Sequence, residues 1–135
     1  MVKFLKPGKV VVVTRGKNAG RKAVIIKTNE LGSKARPYGH CLVAGLSKAP
    51  RRVKKAMTKK QIAKRSRLKV FLKTVNFAHV MPTRYSYELA YNKLVPKGAA
   101  KDPGQKRIAL RRLRHRMSAD YKKGLKPYFF AKLRF

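Results

Sequence analysis

Gly16 and Gly20 stand four positions apart in TRGKNAGRKAVI, residues 14 to 25, with Arg15, Lys17, Arg21 and Lys22 crowded around them. Glycines among cations are what a phosphate cradle needs, because the backbone N–H groups come close to the anion and the side chains neutralise it. The details do not fit a nucleotide-hydrolysing P-loop. That loop keeps four residues between its glycines and then opens a helix with Gly-Lys-Ser/Thr, so that a hydroxyl meets Mg²⁺. Here the gap is three residues, Gly20-Arg21-Lys22 takes the closing position, and a β-branched run follows. Two readings remain: a hairpin loop whose glycines permit positive φ while its charges are solvated, or a seat for the phosphates of a polymer.

Other residues with chemical potential point away from catalysis. His40, His79 and His115 are far apart, and no carboxylate pair or Cys/His cluster has metal-ligand spacing, so no catalytic residue, cofactor site or metal site is expected. His40 reads as a barrel-edge residue beside the single cysteine, and His79 and His115 as RNA contacts or solvent-facing side chains. Cys41, within CLVAG, reads as a small buried residue without a disulfide partner, which fits a reducing compartment. Tyr85, Tyr87 and Tyr91 have strand spacing and leave two readings open, stacking on splayed bases or packing on protein.

Charge narrows the partner. The chain has 37 Lys and Arg against four acids, Glu30, Glu88, Asp102 and Asp120, for a formal charge of +33. Repulsion on that scale opposes a compact free chain and calls for a polyanion in the working state. Hydrophobic residues nevertheless make up 44%, an ordinary globular share, so a core forms. Lys3, Lys6 and Pro7 interrupt MVKFLKPGKV, which is read as neither a signal peptide nor a membrane span; Val2 is not a myristoyl-accepting glycine, and AKLRF is not a peroxisomal ending. No membrane partner and no small-molecule substrate are expected.

These residues must be positioned by a small β structure with a helical extension. Val10 to Val13, Ala23 to Ile26 and His40 to Leu46 read as short strands, and LKVFLKTVNF as a fourth that places Leu68, Val70 and Leu72 on one face and Lys69, Phe71 and Lys73 on the other. Between the third and fourth lies SKAPRRVKKAMTKKQIAKRSRLK, residues 47 to 69, with eleven Lys or Arg. Thr58 and Gln61 there have capping-box spacing, so KKQIAKRS starts a short helix. Residues 92 to 104 read as a loop or linker. Asp102 as N-cap, Pro103 at N1 and Gln105 at N3 then open a helix over about 103–123, ended by Gly124 and Pro127. Its stripe of Leu110, Leu113, Met117 and Tyr121 is expected to dock on protein, with PYFFAKLRF or a neighbouring protein as acceptor, while its arginines turn to RNA.

Gly8, Val10, Val12, Gly16, Gly20, Ala23 and Ile25 resemble the KOW motif of SH3-like barrels, with Ala23 where the motif often has a third glycine. KFLKPGKVVVV, RPYGHCLVAG, APRRV, KKQIAKRS, MPTRYSYEL and FFAKLRF together resemble the e-type family of eukaryotic large-subunit ribosomal protein twenty-seven. The resemblance implies a mainly β fold with an α extension: an SH3-like KOW barrel over 1–75 carrying the basic insertion 47–69, then an extended basic region over 76–135 with its C-terminal helix. It implies a structural, non-enzymatic constituent of the cytosolic 60S subunit, in contact with rRNA and neighbouring ribosomal proteins, not a homo-oligomer, and passing through the nucleus and nucleolus during assembly. The expected RNA contacts are Arg15, Gly16, Lys17, Gly20, Arg21 and Lys22 in the loop; Arg51, Arg52, Lys54, Lys55, Lys59, Lys60, Lys64, Arg65 and Arg67 in the insertion; and Arg84, Arg107, Arg111 and Arg114 beyond it. A KOW-containing transcription or RNA-processing factor accounts for the first forty residues only, and a histone-like DNA compactor for the charge alone.

Overall fold

The run of β-branched residues at the start of the chain forms β1 (Lys9–Val13), and it is buried on both faces, which is why it reads as continuous valine. Val11 and Val13 enter one apolar cluster and Val10 the other. β1 pairs antiparallel with β2 (Lys22–Asn29), β2 with β3 (His40–Lys48) and β3 with β4 (Lys69–Asn76). A 3-10 turn, Phe77–His79, then carries the chain round to β5 (Val80–Ser86), which pairs with the free side of β1. The sheet order is β4-β3-β2-β1-β5, and the turn joining its two outer strands curls it into a small barrel-like form. The Thr14 N–H donates to the His79 carbonyl at 2.9 Å, tying the turn to the end of β1. The computed structural model describes residues 4–134; residues 1–3 and 135, with the N-terminal reading at Val2 and the final Phe135, lie outside the described residues, as do the side chains of Tyr91 and Asn92.

One cluster fills the barrel: Leu5, Val11, Val13, Ala23, Ile25, Cys41, Val43, Val75 and Val80, with Phe71 and Phe77 against it. The second lies on the outer face and is built by elements distant in sequence. Val10, Val24, Ala44, Leu46, Leu68 and Leu72 present that face, and it is covered by Ala109, Leu113 and Met117 of α3 (Pro103–Lys122) and by Phe129 and Phe130 of α4 (Pro127–Phe130). The split between Leu68, Val70 and Leu72 on one side and Phe71 on the other follows the alternation of β4. β5 begins beyond residue 75 yet belongs to the same sheet as β1.

Local signals formed as their chemistry dictates. α1 (Lys59–Arg65) starts on a reciprocal capping box, the Thr58 N–H reaching Gln61 Oε1 at 3.3 Å and the Gln61 N–H reaching Thr58 Oγ1 at 3.4 Å. A one-turn helix, α2 (Tyr91–Leu94), interrupts the expected linker, and Ala99 in the following turn is buried. Asp102 caps α3 by accepting from the Gly104 N–H at 3.0 Å. At its other end the Gly124 N–H donates to Tyr121 and the Leu125 N–H to Asp120, both at 3.1 Å, with Gly124 at φ 75°, a Schellman closure. Among the described residues no helix is long and apolar enough to cross a membrane.

Candidate nucleic-acid interface

The glycine loop is a rigid object. Its base is closed by the Gly20 N–H on the Val13 carbonyl at 2.7 Å and the Val13 N–H on the Arg21 carbonyl at 3.0 Å, and inside it the Ala19 N–H donates to Gly16 at 3.1 Å. Gly16 and Gly20 take φ of 92° and 77°, a region that side chains rarely adopt, so both glycines are required by the turn itself. Arg15, Lys17 and Arg21 project from this frame into solvent.

Lys22 behaves differently from its neighbours and corrects the expectation that all four cations face outward. It is 6% exposed, and its ammonium donates to the Tyr128 carbonyl at 2.7 Å and the Ala131 carbonyl at 2.9 Å while lying 3.8 Å from the centre of the Tyr128 ring. Burial lowers its pKa from the ordinary lysine value, and two carbonyls with a π face are the partners that a buried ammonium needs. Lys22 sits at the start of β2, so it clamps the C-terminal segment to the barrel.

The tyrosines divide likewise. Tyr85 stacks on Tyr128 with ring centres 3.8 Å apart, and Arg84, exposed, lies over the other end of the pair, 5.1 Å from the Tyr85 ring and 3.0 Å from its hydroxyl. Tyr87 is buried against Phe129 at 4.9 Å, and its hydroxyl donates to Asp120. Tyr85 and Tyr87 thus pack on protein. Asp120, also buried, receives Arg116 Nε at 3.2 Å, the ion pair found among the described residues. Sequence reasoning gave Asp120 no role, since its partner stands 33 positions away.

In the insertion, Arg51, Arg52, Lys54, Lys55, Lys59, Lys60, Lys64 and Arg67 are exposed, whereas Arg65 is half-buried and donates to the Arg52 carbonyl at 3.0 Å. With the Arg51 N–H on the Arg65 carbonyl at 2.9 Å, α1 is strapped to the stretch before it. Arg107, Arg111 and Arg114 occupy the exposed side of α3. The fold brings one set together. Gly20 and Arg21 of the loop, Lys48 at the end of β3, Arg51 and Lys132 line a single cleft of 550 Å³. Lys48 and Lys132 were not singled out in the sequence, because Lys48 reaches the loop only through the pairing of β3 with β2, and Lys132 only through the docking of residues 127–134 on the barrel. His40 faces Tyr38, its Nδ1 3.1 Å from that residue's carbonyl, and Cys41 is fully buried. Among the described residues no group of His, Cys, Asp and Glu is placed to hold a metal ion.

Small barrels of this kind host many unrelated functions, so the fold and its loop alone do not choose among them. The profile of the Ribosomal L27e protein family matches residues 10–135, which takes in the barrel, the insertion and both C-terminal helices. The chain belongs to the Ribosomal L27e protein family. As an L27e-family member it is a protein of the large ribosomal subunit, part of the ribonucleoprotein that carries out translation, and its family is structural and non-enzymatic. L27e membership implies association with rRNA and with other ribosomal proteins, and it sets aside the transcription-factor and chromatin readings.

Proposed function

We propose that the chain binds and stabilises rRNA in the cytosolic 60S subunit by neutralising and positioning backbone phosphates. One observation carries this reading: a loop that is rigid through its own hydrogen bonds delivers Arg21 to a cleft shared with Lys48, Arg51 and Lys132. Rigid donors fix a register on folded RNA, since phosphate contacts orient a protein without reading sequence. Arg15 and Lys17 extend the contact from the loop, the exposed cations of α1 and the stretch before it follow the backbone outward, and Arg84, Arg107, Arg111 and Arg114 meet other segments. One copy serves each subunit, neighbouring ribosomal proteins complete its surroundings, and assembly takes it through the nucleolus.

Sedimentation of a tagged chain in a sucrose gradient tests the reading. Co-migration with the 60S particle, with ultraviolet crosslinks from the loop to rRNA, is the expected result. Recovery with polymerase or chromatin, or crosslinks to protein alone, overturns it.

A further inference from the structure

Barrel closure creates a second cleft. Where the glycine loop meets the 3-10 turn, Arg15, Gly16, Tyr38, Lys73, Asn76 and His79 surround a space of 370 Å³, within the roughly 300–1,000 Å³ range of small-ligand sites. Lys73 belongs to β4, three strands away from β1 in the sheet order, yet its Nζ comes within 3.4 Å of where a Cβ on Gly16 would stand. The lining of this cleft thus includes two cations, Arg15 from the loop after β1 and Lys73 from β4, strands that are not neighbours in the sheet.

Tyr38 adds a surface of another kind. The residue is 42% exposed while its backbone is fixed: His40 Nδ1 lies 3.1 Å from its carbonyl, and the Phe77 N–H donates to the next carbonyl, that of Gly39, at 3.2 Å. Gly32 packs so tightly beneath it that an added Cβ would lie 2.8 Å from the Tyr38 nitrogen. The His40 ring steadies Tyr38 edge-on at 6.1 Å and 76°. An aromatic ring held in place before binding stacks at little entropic cost.

We propose that this cleft seats one unpaired nucleotide of RNA, its phosphate between Arg15 and Lys73 and its base on the face of Tyr38. The proposal rests on the RNA-binding reading above and adds a preference that phosphate neutralisation does not supply, for an unstacked base over a duplex.

Fluorescence anisotropy of the full chain with a labelled short oligouridylate and with an RNA duplex, each over a range of salt, tests it. Tyr38→Ala weakens oligouridylate binding roughly fivefold or more and leaves duplex binding unchanged, whereas Tyr38→Phe preserves both. Lys73→Gln lowers the log–log salt slope for the single strand by about 0.7. AMP displaces the oligouridylate better than inorganic phosphate does, but only at concentrations far above those of unlabelled oligouridylate; AMP no better than phosphate overturns the base seat, and displacement by AMP at oligonucleotide-like concentrations overturns the assignment to a polymer. Equal losses on both RNAs, or no loss from Tyr38→Ala, overturn the nucleotide seat. If that happens while wild-type binding stays steeply salt-dependent, the rRNA-binding reading survives; if the wild type binds neither probe, that reading fails as well.

Discussion

Lys17 and Lys22 carry the same charge five positions apart and do unlike work. The first projects from the loop, and the second is spent on two carbonyls of the C-terminal segment. Around them the backbone matters more than any one cation, because Gly20 holds both the positive φ and the hydrogen bond that closes the loop. Gly20→Val therefore impairs incorporation into subunits more than Lys17→Gln, as measured by quantifying each tagged variant in 60S fractions; equal incorporation of both with wild type removes the special role of the loop. Cys41 offers a pH test. Burial pushes its thiol from 9.0 up to about 12, so the folded state favours the neutral form. That contribution is fully present below pH 9 and fades as the pH rises through the folded value. The Tm advantage of wild type over Cys41→Ala accordingly narrows between pH 9 and 12, a comparison in which lysine titration is common to both proteins.

α3 is amphipathic in a demanding way, with Leu113 and Met117 wholly buried on the sheet and arginines over much of the rest. The stripe expected to dock on protein does so within its own chain: Leu110 and Tyr121 pack at its margin, and Tyr121 meets Phe130 at 5.5 Å. Leu113→Ala removes a fully buried side chain from this seam and costs about 2–5 kcal/mol, read from chemical denaturation. Cut loose from the sheet, the same helix has like charges at i,i+3 and i,i+4 spacing and no nucleus to spare. A peptide covering residues 101 to 126 is therefore weakly helical by circular dichroism in low-salt buffer and gains helix with polyanion; strong helicity without polyanion would refute the dependence on docking. Both ends of α3 were legible in the sequence, as was the capping box of α1, because caps act over three or four residues. What covers the helix was only partly so. PYFF was an evident candidate, but its winding into α4, the Tyr87–Asp120 bond and the Lys22 clamp join positions 33 to 109 apart, and no local pattern encodes such distances. Lys73 escaped notice for the same reason: its neighbour at Gly16 exists only once the sheet has curled.

At the scale of the molecule, charge is left uncompensated by design of the fold. Asp120 is consumed inside the core, Asp102 caps a helix, and Glu30 and Glu88 are the other acids set against 37 cations. The free chain therefore binds structured RNA with little sequence preference and steep salt dependence; if six phosphates are neutralised, the log–log slope is about −4 to −5 by counterion release, and a slope near zero would show that charge is not the source of affinity. The clamp at Lys22 also has a bearing on the order of synthesis. A chain emerges N-terminus first, at about 5–20 residues each second, so Phe129, Phe130 and the Ala131 carbonyl are made after every strand they cover. Until then the outer face lacks the cover of Phe129 and Phe130, and the Lys22 ammonium lacks both of its carbonyl acceptors. A chain broken off before residue 129 keeps most of its positive charge and the side chains of α3, but loses Phe129 and Phe130 from its outer core. Such a fragment therefore differs from the full chain in apolar exposure far more than in charge.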